Sequence, residues 1–237
     1  MFDYYCHNFG FDCVEINSSF YRPPAAKSMA SLASRSPENF HFMVKVFHGF
    51  THNLREATPK AFRTFHQGIA PLAQSGKLRG LLAQFPPAFM PGKESRDWLQ
   101  YLRKRFAPFP LFIEFRHPHW GAPENFDFLK QEDFGYCMAD LPDLDTLPSL
   151  APAVTNGIAY VRFHGRNREW YRPTTSRYDY QYSDEELRSV LDKIGKISPP
   201  PSQAFIFFNN CHAGVAVRSA KRCLALSQQL LTSGSLM

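Results

Sequence analysis

Charged residues recur at the ends of short apolar runs in this sequence, and their types are those that perform acid–base chemistry. The candidate catalytic residues are Glu15, Lys45, Glu114, Asp140 and His164. Carboxylates and an imidazole accept or donate protons, and a lysine boxed in by apolar residues can act as a base or an amine nucleophile. We therefore expect these side chains to supply the reactive groups of a site.

A second set of residues carries the donors and aromatic rings suited to holding a ligand. It consists of Asn17, Gln84, Arg116, His117, Trp120, Arg162, Arg166, Asn209 and Asn210. Arginine presents a planar fork of N–H donors that matches phosphate or carboxylate oxygens. The turn fixed by Pro118 is expected to aim Trp120 over the mouth of the site. This set predicts a small anionic ligand.

The same residues also have a purely structural interpretation. Glu114 would pair with Arg116 or Arg162, and Lys45 would pair with Glu15. The result would be a self-satisfied network of ion pairs that contributes no chemistry. Charges are retained inside proteins mainly when they are paired or take part in function, so both interpretations stay open.

Carboxylates together with an imidazole also suit a divalent metal such as Mg, Mn or Zn. The ligands would be Glu15, Glu114, Asp140 and His164. No His-x-x-x-His or similar spacing supports a metal centre, so we assign no metal and the cofactor stays unknown. The five cysteines contain no Cys-x-x-Cys pair and signal neither a disulfide framework nor structural zinc.

Seven apolar runs rich in Val, Ile, Leu, Phe and Tyr place these residues. The runs are Cys13–Tyr21, His41–Phe47, Gly80–Pro86, Leu111–His117, Tyr136–Asp140, Ala159–Gly165 and Ala204–Asn210. Sequence of helical periodicity separates them, and strands that alternate with helices indicate a parallel sheet. An α/β barrel builds its site at the carboxyl ends of such strands. The sequence therefore predicts a TIM-type (β/α) barrel with about seven of the eight strands of that fold.

Composition indicates the general class of protein. The chain has 237 residues, of which 44% are hydrophobic, enough for one barrel-sized domain with a large core. A formal net charge of +6 favours anionic ligands. The sequence contains neither a basic leader with an apolar stretch nor a run long enough to span a membrane. We expect a cytoplasmic protein without membrane partners, and these features do not define its oligomeric state.

The connection between Gly165 and Tyr182 is long and rich in arginine and aromatic residues. Its members are Arg166, Arg168, Trp170, Tyr171, Arg172, Arg177, Tyr178 and Tyr180. Connections of this length are usually functional. The segment would form a lid over a small substrate. Alternatively, its arginines would grip phosphates while Trp170, Tyr171 and Tyr178 stack on the bases of a nucleic acid.

A capping box follows this connection. Ser183 is the predicted N-cap and Glu186 the residue that reaches back to it, opening a helix through about Ile194. The pattern predicts where the connection ends and the next helix begins.

Several of these segments resemble the YecE-like family, a family of uncharacterised TIM-type barrels. The matching segments are Val14–Arg22, Phe42–Lys45, Leu82–Pro87, Glu114–Trp120, Arg162–Arg166 and Phe207–Asn210. The resemblance covers nearly the whole chain and implies a TIM-type barrel, but no activity. The family pattern begins with a strand and loop upstream of the helix that opens this chain. The resemblance therefore implies a single barrel domain, 1–237, that is incomplete at its N-terminus.

Three functions follow from these residues. We favour an enzyme (a hydrolase, lyase or isomerase) that binds a small phosphorylated or carboxylated substrate at the C-terminal face of the barrel. The second hypothesis is a nucleic-acid-binding or nuclease-like barrel. The third is a non-catalytic or truncated protein whose polar layer is structural. The residue types specify neither the substrate nor the reaction.

Overall fold

A computed structural model describes residues 2–172, 179–210 and 214–232, with side chains up to residue 230. Seven strands follow one another along the chain, as the apolar runs predict, and α-helices separate them except between the fifth and the sixth. The chain divides into two compact units, an N-terminal unit Met1–Glu114 and a C-terminal unit Phe115–Met237. In the described part of the chain, no helix has both the length and the hydropathy needed to cross a membrane.

The N-terminal unit contains the first four strands and helices. The strands are β1 Cys13–Ile16, β2 His41–Lys45, β3 Leu78–Gln84 and β4 Leu111–Glu114. The helices are α1 Phe2–Asn8, α2 Ala26–Arg35, α3 Pro59–Gln74 and α4 Lys93–Phe106. The strands lie side by side in chain order, each parallel to the next. This arrangement confirms the first four predicted strands and brings their carboxyl ends to one edge of the sheet.

The first strand is shorter than the apolar run that predicts it. β1 ends at Ile16, and Ser18–Phe20 forms a turn of 3₁₀ helix. The hydroxyl of Ser19 donates to the carbonyl oxygens of Ile16 at 2.8 Å and of Lys45 at 2.5 Å. Serine side chains compete with strand pairing by bonding to nearby backbone, and here that bonding ends β1 early.

A cluster of aromatic rings forms much of the N-terminal unit's core. Phe50 stacks on Phe62 with ring centroids 4.2 Å apart and meets Phe65 and Phe106 edge-on. All four side chains are completely buried. Helix α3, which carries two of these rings, begins at a Thr58 N-cap whose hydroxyl accepts the backbone N–H of Ala61. The capped helix thus brings its apolar face onto the segment after β2.

Gly68 lies on α3 where the helix meets the backbone of Pro24. A Cβ at position 68 would lie 2.1 Å from the carbonyl oxygen of Pro24, so Gly68→Ala forces a backbone shift. We expect a loss of about 2 kcal/mol in the free energy of unfolding, measured by chemical denaturation. Gly121→Ala is the matched control, because its new Cβ would meet nothing within 4 Å. Equal unfolding midpoints for the two variants would contradict the expectation.

The C-terminal unit contains the last three strands and helices. The strands are β5 Phe134–Asp140, β6 Ile158–Phe163 and β7 Gln203–Phe208, with β6 parallel to both others. The helices are α5 Pro123–Gln131, α6 Asp184–Gly195 and α7 Val215–Thr232. The capping box is confirmed, since the Ser183 hydroxyl accepts the N–H of Glu186 and the Glu186 carboxylate accepts the N–H of Ser183. Each of the seven predicted strands is therefore present.

Candidate functional site

Four predicted site residues lie at the carboxyl ends of β1, β2 and β3. The side-chain amide of Asn17 donates to Glu15 Oε1 at 2.9 Å. The ammonium of Lys45 donates to Gln84 Oε1 at 3.0 Å and lies 4.2 Å from the centre of the Phe20 ring. An aromatic face and an amide oxygen both stabilise a charged ammonium. Lys45 is therefore placed to hold charge rather than to act as a free amine.

Glu114 is the last residue of β4 and is completely buried. Its backbone carbonyl accepts the N–H of Phe85 at 2.8 Å, which continues the pairing of β3 with β4. A carboxylate removed from water needs polar partners to compensate for its lost hydration. The residue thus lies at a strand's carboxyl end, as predicted, in the interior of the N-terminal unit.

In the C-terminal unit, Arg162 and Asn209 form a buried polar pair. The guanidinium of Arg162, which is 2% exposed, donates from Nη2 at 3.0 Å and from Nε at 3.1 Å to the side-chain oxygen of Asn209, in the amide orientation that satisfies both groups. The backbone N–H of Asn209 donates to Phe163 O at 2.7 Å, just beyond the end of β7. The two strand ends therefore fix the plane of the guanidinium.

His164 lies directly after β6, is 3% exposed and contacts a second arginine. Arg116 Nη2 donates to His164 Nε2 at 3.0 Å. Because a guanidinium has donors only, Nε2 must be the acceptor, and the neutral imidazole carries its proton on Nδ1. The backbone N–H of His164 donates to Asp140 O at 3.0 Å. The predicted proton-transfer residue is thus held with the lone pair of Nε2 facing a cation.

Asp140, at the end of β5, forms an ion pair with Arg166. Arg166 donates from Nε to Oδ2 at 3.0 Å and from Nη2 to Oδ1 at 2.7 Å. The hydroxyl of Tyr182 donates to Oδ2 at 2.6 Å and accepts the backbone N–H of Gly165 at 2.8 Å. Arg166 Nη1 also donates to Glu186 Oε1 at 3.3 Å, and the Tyr180 hydroxyl donates to the same oxygen. We call Asp140, Arg166, Tyr180, Tyr182 and Glu186 the Asp140 network.

The electrostatics of the Asp140 network keep its donors protonated. Hydrogen bonds to Asp140 raise the pKa of Arg166. Burial, and then the charge of Asp140, raise the pKa of Tyr182. Burial, and then the hydrogen bond to Glu186, raise the pKa of Tyr180 to about 12. The predicted acid–base residue Asp140 and the predicted ligand-binding residue Arg166 thus engage each other, which fits the structural interpretation that the sequence left open.

The segment after β4 forms the predicted turn but buries its tryptophan. Pro118–Gly121 is a turn of 3₁₀ helix, and His117 Nδ1 accepts the backbone N–H of His119 at 3.2 Å. Burial, followed by the neighbouring His119, lowers the pKa of His117. Trp120 is 2% exposed and stacks on Phe115 with centroids 4.0 Å apart. Trp120 therefore packs inside the C-terminal unit rather than lying open over a site.

The aromatic and arginine residues after β6 are largely used within the protein. Trp170 is 6% exposed and packs against Ala139, Leu141 and Leu147, so it is a core residue rather than a base-stacking one. Arg172 pairs with Glu169 at 2.7 Å. Tyr171 is 62% exposed. Two further residues of the nucleic-acid hypothesis, Arg177 and Tyr178, lie outside the described residues.

Among residues 2–172, 179–210 and 214–230, no group of three or more His, Cys, Asp and Glu side chains is arranged to hold a metal ion.

Asn210, predicted to bind ligand, is completely buried and donates from Nδ2 to the carbonyl oxygen of Tyr180 at 2.7 Å. It therefore fixes the segment before α6.

Sequence reasoning missed three members of the Asp140 network as site residues. Tyr180 and Tyr182 appeared only as parts of an aromatic connection, and Glu186 only as a capping residue. One available signal was their spacing, because two tyrosines two residues apart directly precede the capping box. The identity of their partners was not readable, since Asp140 lies 42 residues from Tyr182.

The predicted fold class is confirmed: the chain is an α/β protein of the TIM-barrel type, with seven strands in chain order and buried polar residues at their carboxyl ends. It belongs to the family described as "Protein of unknown function DUF72", whose family model matches residues 1–234. YecE-like is a close designation for this family. The resemblance of the chain to the YecE-like proteins is therefore confirmed at the level of the DUF72 family.

Known relatives match the chain over most of its length. It is 30% identical to the UPF0759 protein YunF of Bacillus subtilis, covering 91% of this chain and 83% of the relative. A solved DUF72 structure from Thermotoga maritima is 34% identical, with a TM-score of 0.85 over 96% of this chain and 88% of that one. Another, from Enterococcus faecalis, is 29% identical with a TM-score of 0.85, covering 98% of this chain and 93% of that one.

Proposed function

We propose that the chain binds a small phosphorylated or carboxylated ligand at the carboxyl ends of β6 and β7, and that His164 transfers a proton to or from it. The observation that carries this proposal is the placement of two oriented arginines, Arg116 and Arg162, around the strand end that bears His164. The carboxyl ends of the last strands are the usual position of phosphate-binding groups in barrels of this type.

The contacts of the two arginines support an anionic ligand. Arg162 donates to the amide of Asn209, and Arg116 donates to the imidazole of His164. Each contact fixes the plane of a guanidinium. A planar, oriented guanidinium binds phosphate or carboxylate oxygens through paired hydrogen bonds.

His164 supports a reaction rather than binding alone. An imidazole can accept or donate a proton, and Nε2 of His164 lies beside a guanidinium, although a ligand must displace the Arg116 donor to reach the Nε2 lone pair. Many hydrolases, lyases and isomerases use such a group beside the cations that bind the anion. An enzyme of one of these classes is therefore the function that we propose for the C-terminal unit.

Thermal melts against a ligand panel test the proposal. The probes are inorganic phosphate, sugar phosphates, small dicarboxylates and short DNA. A ligand present at 100 times its Kd adds roughly 2.7 kcal/mol to the native state, which shifts a melt visibly. We expect a small anion to raise the melting temperature of the wild type, and Arg162→Met and Arg116→Met to melt cooperatively without that shift.

Arg222→Met is the matched control for these melts. Arg222 pairs with Asp184 on the surface of the same unit, so its loss should leave the ligand shift unchanged. Shifts of wild-type size in both Arg162→Met and Arg116→Met would refute the proposal. A shift produced by DNA and by no small anion would favour the nucleic-acid hypothesis instead.

A further inference from the structure

We infer that Asp140 and Glu186 are positioning residues, whose carboxylates hold both ends of the β6–α6 connection at the carboxyl end of β5. The β6–α6 connection is the segment between Phe163, where β6 ends, and Asp184, where α6 begins. The inference concerns the described ends of this segment, up to residue 172 and from residue 179. It goes beyond the proposed function and does not depend on it.

The first end of the connection is fixed by Gly165 and Arg166. Gly165 has φ of 91°, a left-handed conformation that glycine adopts without strain. Its N–H donates to the hydroxyl of Tyr182 at 2.8 Å. The next residue, Arg166, forms the two-pronged ion pair with Asp140. The chain therefore leaves β6 through a turn that is tied both to β5 and to the far end of the connection.

The second end is fixed by Tyr180 and Tyr182. The Tyr182 hydroxyl donates to Asp140 Oδ2 at 2.6 Å, and the Tyr180 hydroxyl donates to Glu186 Oε1. The carbonyl oxygen of Tyr180 accepts from Asn210 Nδ2 at 2.7 Å, just after β7. Three separate elements, β5, α6 and the end of β7, thus hold this short stretch.

All four oxygens of the two carboxylates accept hydrogen bonds from the connection or from the residue that caps α6. Asp140 Oδ1 accepts from Arg166, and Oδ2 accepts from Arg166 and Tyr182. Glu186 Oε1 accepts from Arg166 and Tyr180, and its Oε2 accepts the N–H of Ser183 at 2.9 Å. Hydrogen bonds to ionised groups are the stronger kind, and their geometry is specific when the donor is a guanidinium. The arrangement uses both carboxylates to hold backbone segments together.

Limited trypsin digestion tests the inference, because Arg168 is an exposed cleavage site within the connection. We expect Asp140→Asn to raise the rate of cleavage after Arg168 about tenfold or more, since proteolysis follows the population of the open form. Tyr182→Phe, which keeps every charge, should act in the same direction. Asp184→Asn is the control, because Asp184 pairs with Arg222 outside the network and its loss should leave the rate unchanged.

A spectroscopic measurement distinguishes the direct contact between Glu186 and Tyr180 from a general loss of stability. Burial, and then the hydrogen bond to Glu186, raise the pKa of Tyr180 to about 12, and the charged groups that face it are Glu186, Arg166 and Asp140. In a protein carrying ¹³C at the tyrosine Cζ, Glu186→Gln should move the ionisation midpoint of Tyr180 back towards the ordinary value. Because the pKa of Tyr180 is higher in the folded state than in the unfolded state, its protonated hydroxyl contributes its full stabilisation of the fold below pH 10. That contribution is lost as the pH rises through about 12.

Two results would overturn the inference. The first is cleavage at the wild-type rate in both Asp140→Asn and Tyr182→Phe. The second is a Tyr180 midpoint that does not move in Glu186→Gln. If Asp140→Asn does not melt cooperatively, Tyr182→Phe and Tyr180→Phe decide the matter. Phosphate shifts of wild-type size in both Arg162→Met and Arg116→Met, together with faster cleavage in Asp140→Asn, would refute the proposed function alone, so failures of the two proposals are distinguishable.

Discussion

Replacing Arg166 with methionine should lower the free energy of unfolding by about 3 kcal/mol or more, because it leaves a buried carboxylate without its cation. The Asp140 side chain is 4% exposed and receives two of the hydrogen bonds that hold it from this guanidinium. Glu186 loses the same partner. Chemical denaturation, followed by circular dichroism, measures the loss.

The double variant Arg166→Met/Asp140→Asn isolates the pair. If the loss comes from an uncompensated charge, removing that charge should restore part of it, so the two changes should not be additive. Arg222→Met is the matched control. It breaks an Arg–Asp pair whose side chains are 49% and 36% exposed, and we expect a much smaller loss than in Arg166→Met. Equal losses in Arg166→Met and Arg222→Met would contradict this account of the Asp140 network.

Replacing Phe50 with alanine should lower the free energy of unfolding by about 3–5 kcal/mol, because it removes a completely buried ring from the core of the N-terminal unit. The ring contacts Phe62, Phe65 and Phe106, which belong to two different helices and cannot all close the space left behind. The loss combines missing apolar burial with the cost of the cavity.

Leu54→Ala is the control for the core variant. Leu54 lies four residues further along the same segment and is 43% exposed, so we expect a change within about 0.5 kcal/mol. Urea unfolding of both variants, monitored by fluorescence and by circular dichroism, compares them under the same conditions. A cost for Phe50→Ala as small as that for Leu54→Ala would show that the aromatic cluster does not stabilise the unit as its burial implies.

Much of the fold was predictable because it rests on patterns within a few residues. The apolar run Leu111–His117 contains the fully buried strand Leu111–Glu114, and Ser183 with Glu186 forms the predicted capping box. Alternating helices then predicted a parallel sheet, whose strands indeed run parallel to their neighbours. The main error of this kind was the length of β1, where Ser19 bonds to backbone and ends the strand at Ile16.

The candidate site was predictable in its position and much less so in its contacts. Asp140, Arg162 and His164 lie buried at strand ends, as expected from the polar residues that close each apolar run. Their partners could not be read from spacing. Whether Arg166 faces a ligand or Asp140 depends on the turn at Gly165 and on which rotamer the long side chain adopts.

The sequence by itself determined the strands, the helices that separate them and the edge at which the polar residues gather, because side-chain periodicity and capping are local properties of the chain. Only the tertiary structure decided which charges pair. Asp140 and Arg166 are 26 residues apart, and Asp140 and Tyr182 are 42 apart. Contacts over such separations depend on strand register and backbone turns, which set distances to within a hydrogen bond's length. The same geometry placed Arg116 beside the imidazole of His164 and Arg166 beside Asp140 and Glu186, contacts that the residue type alone does not encode.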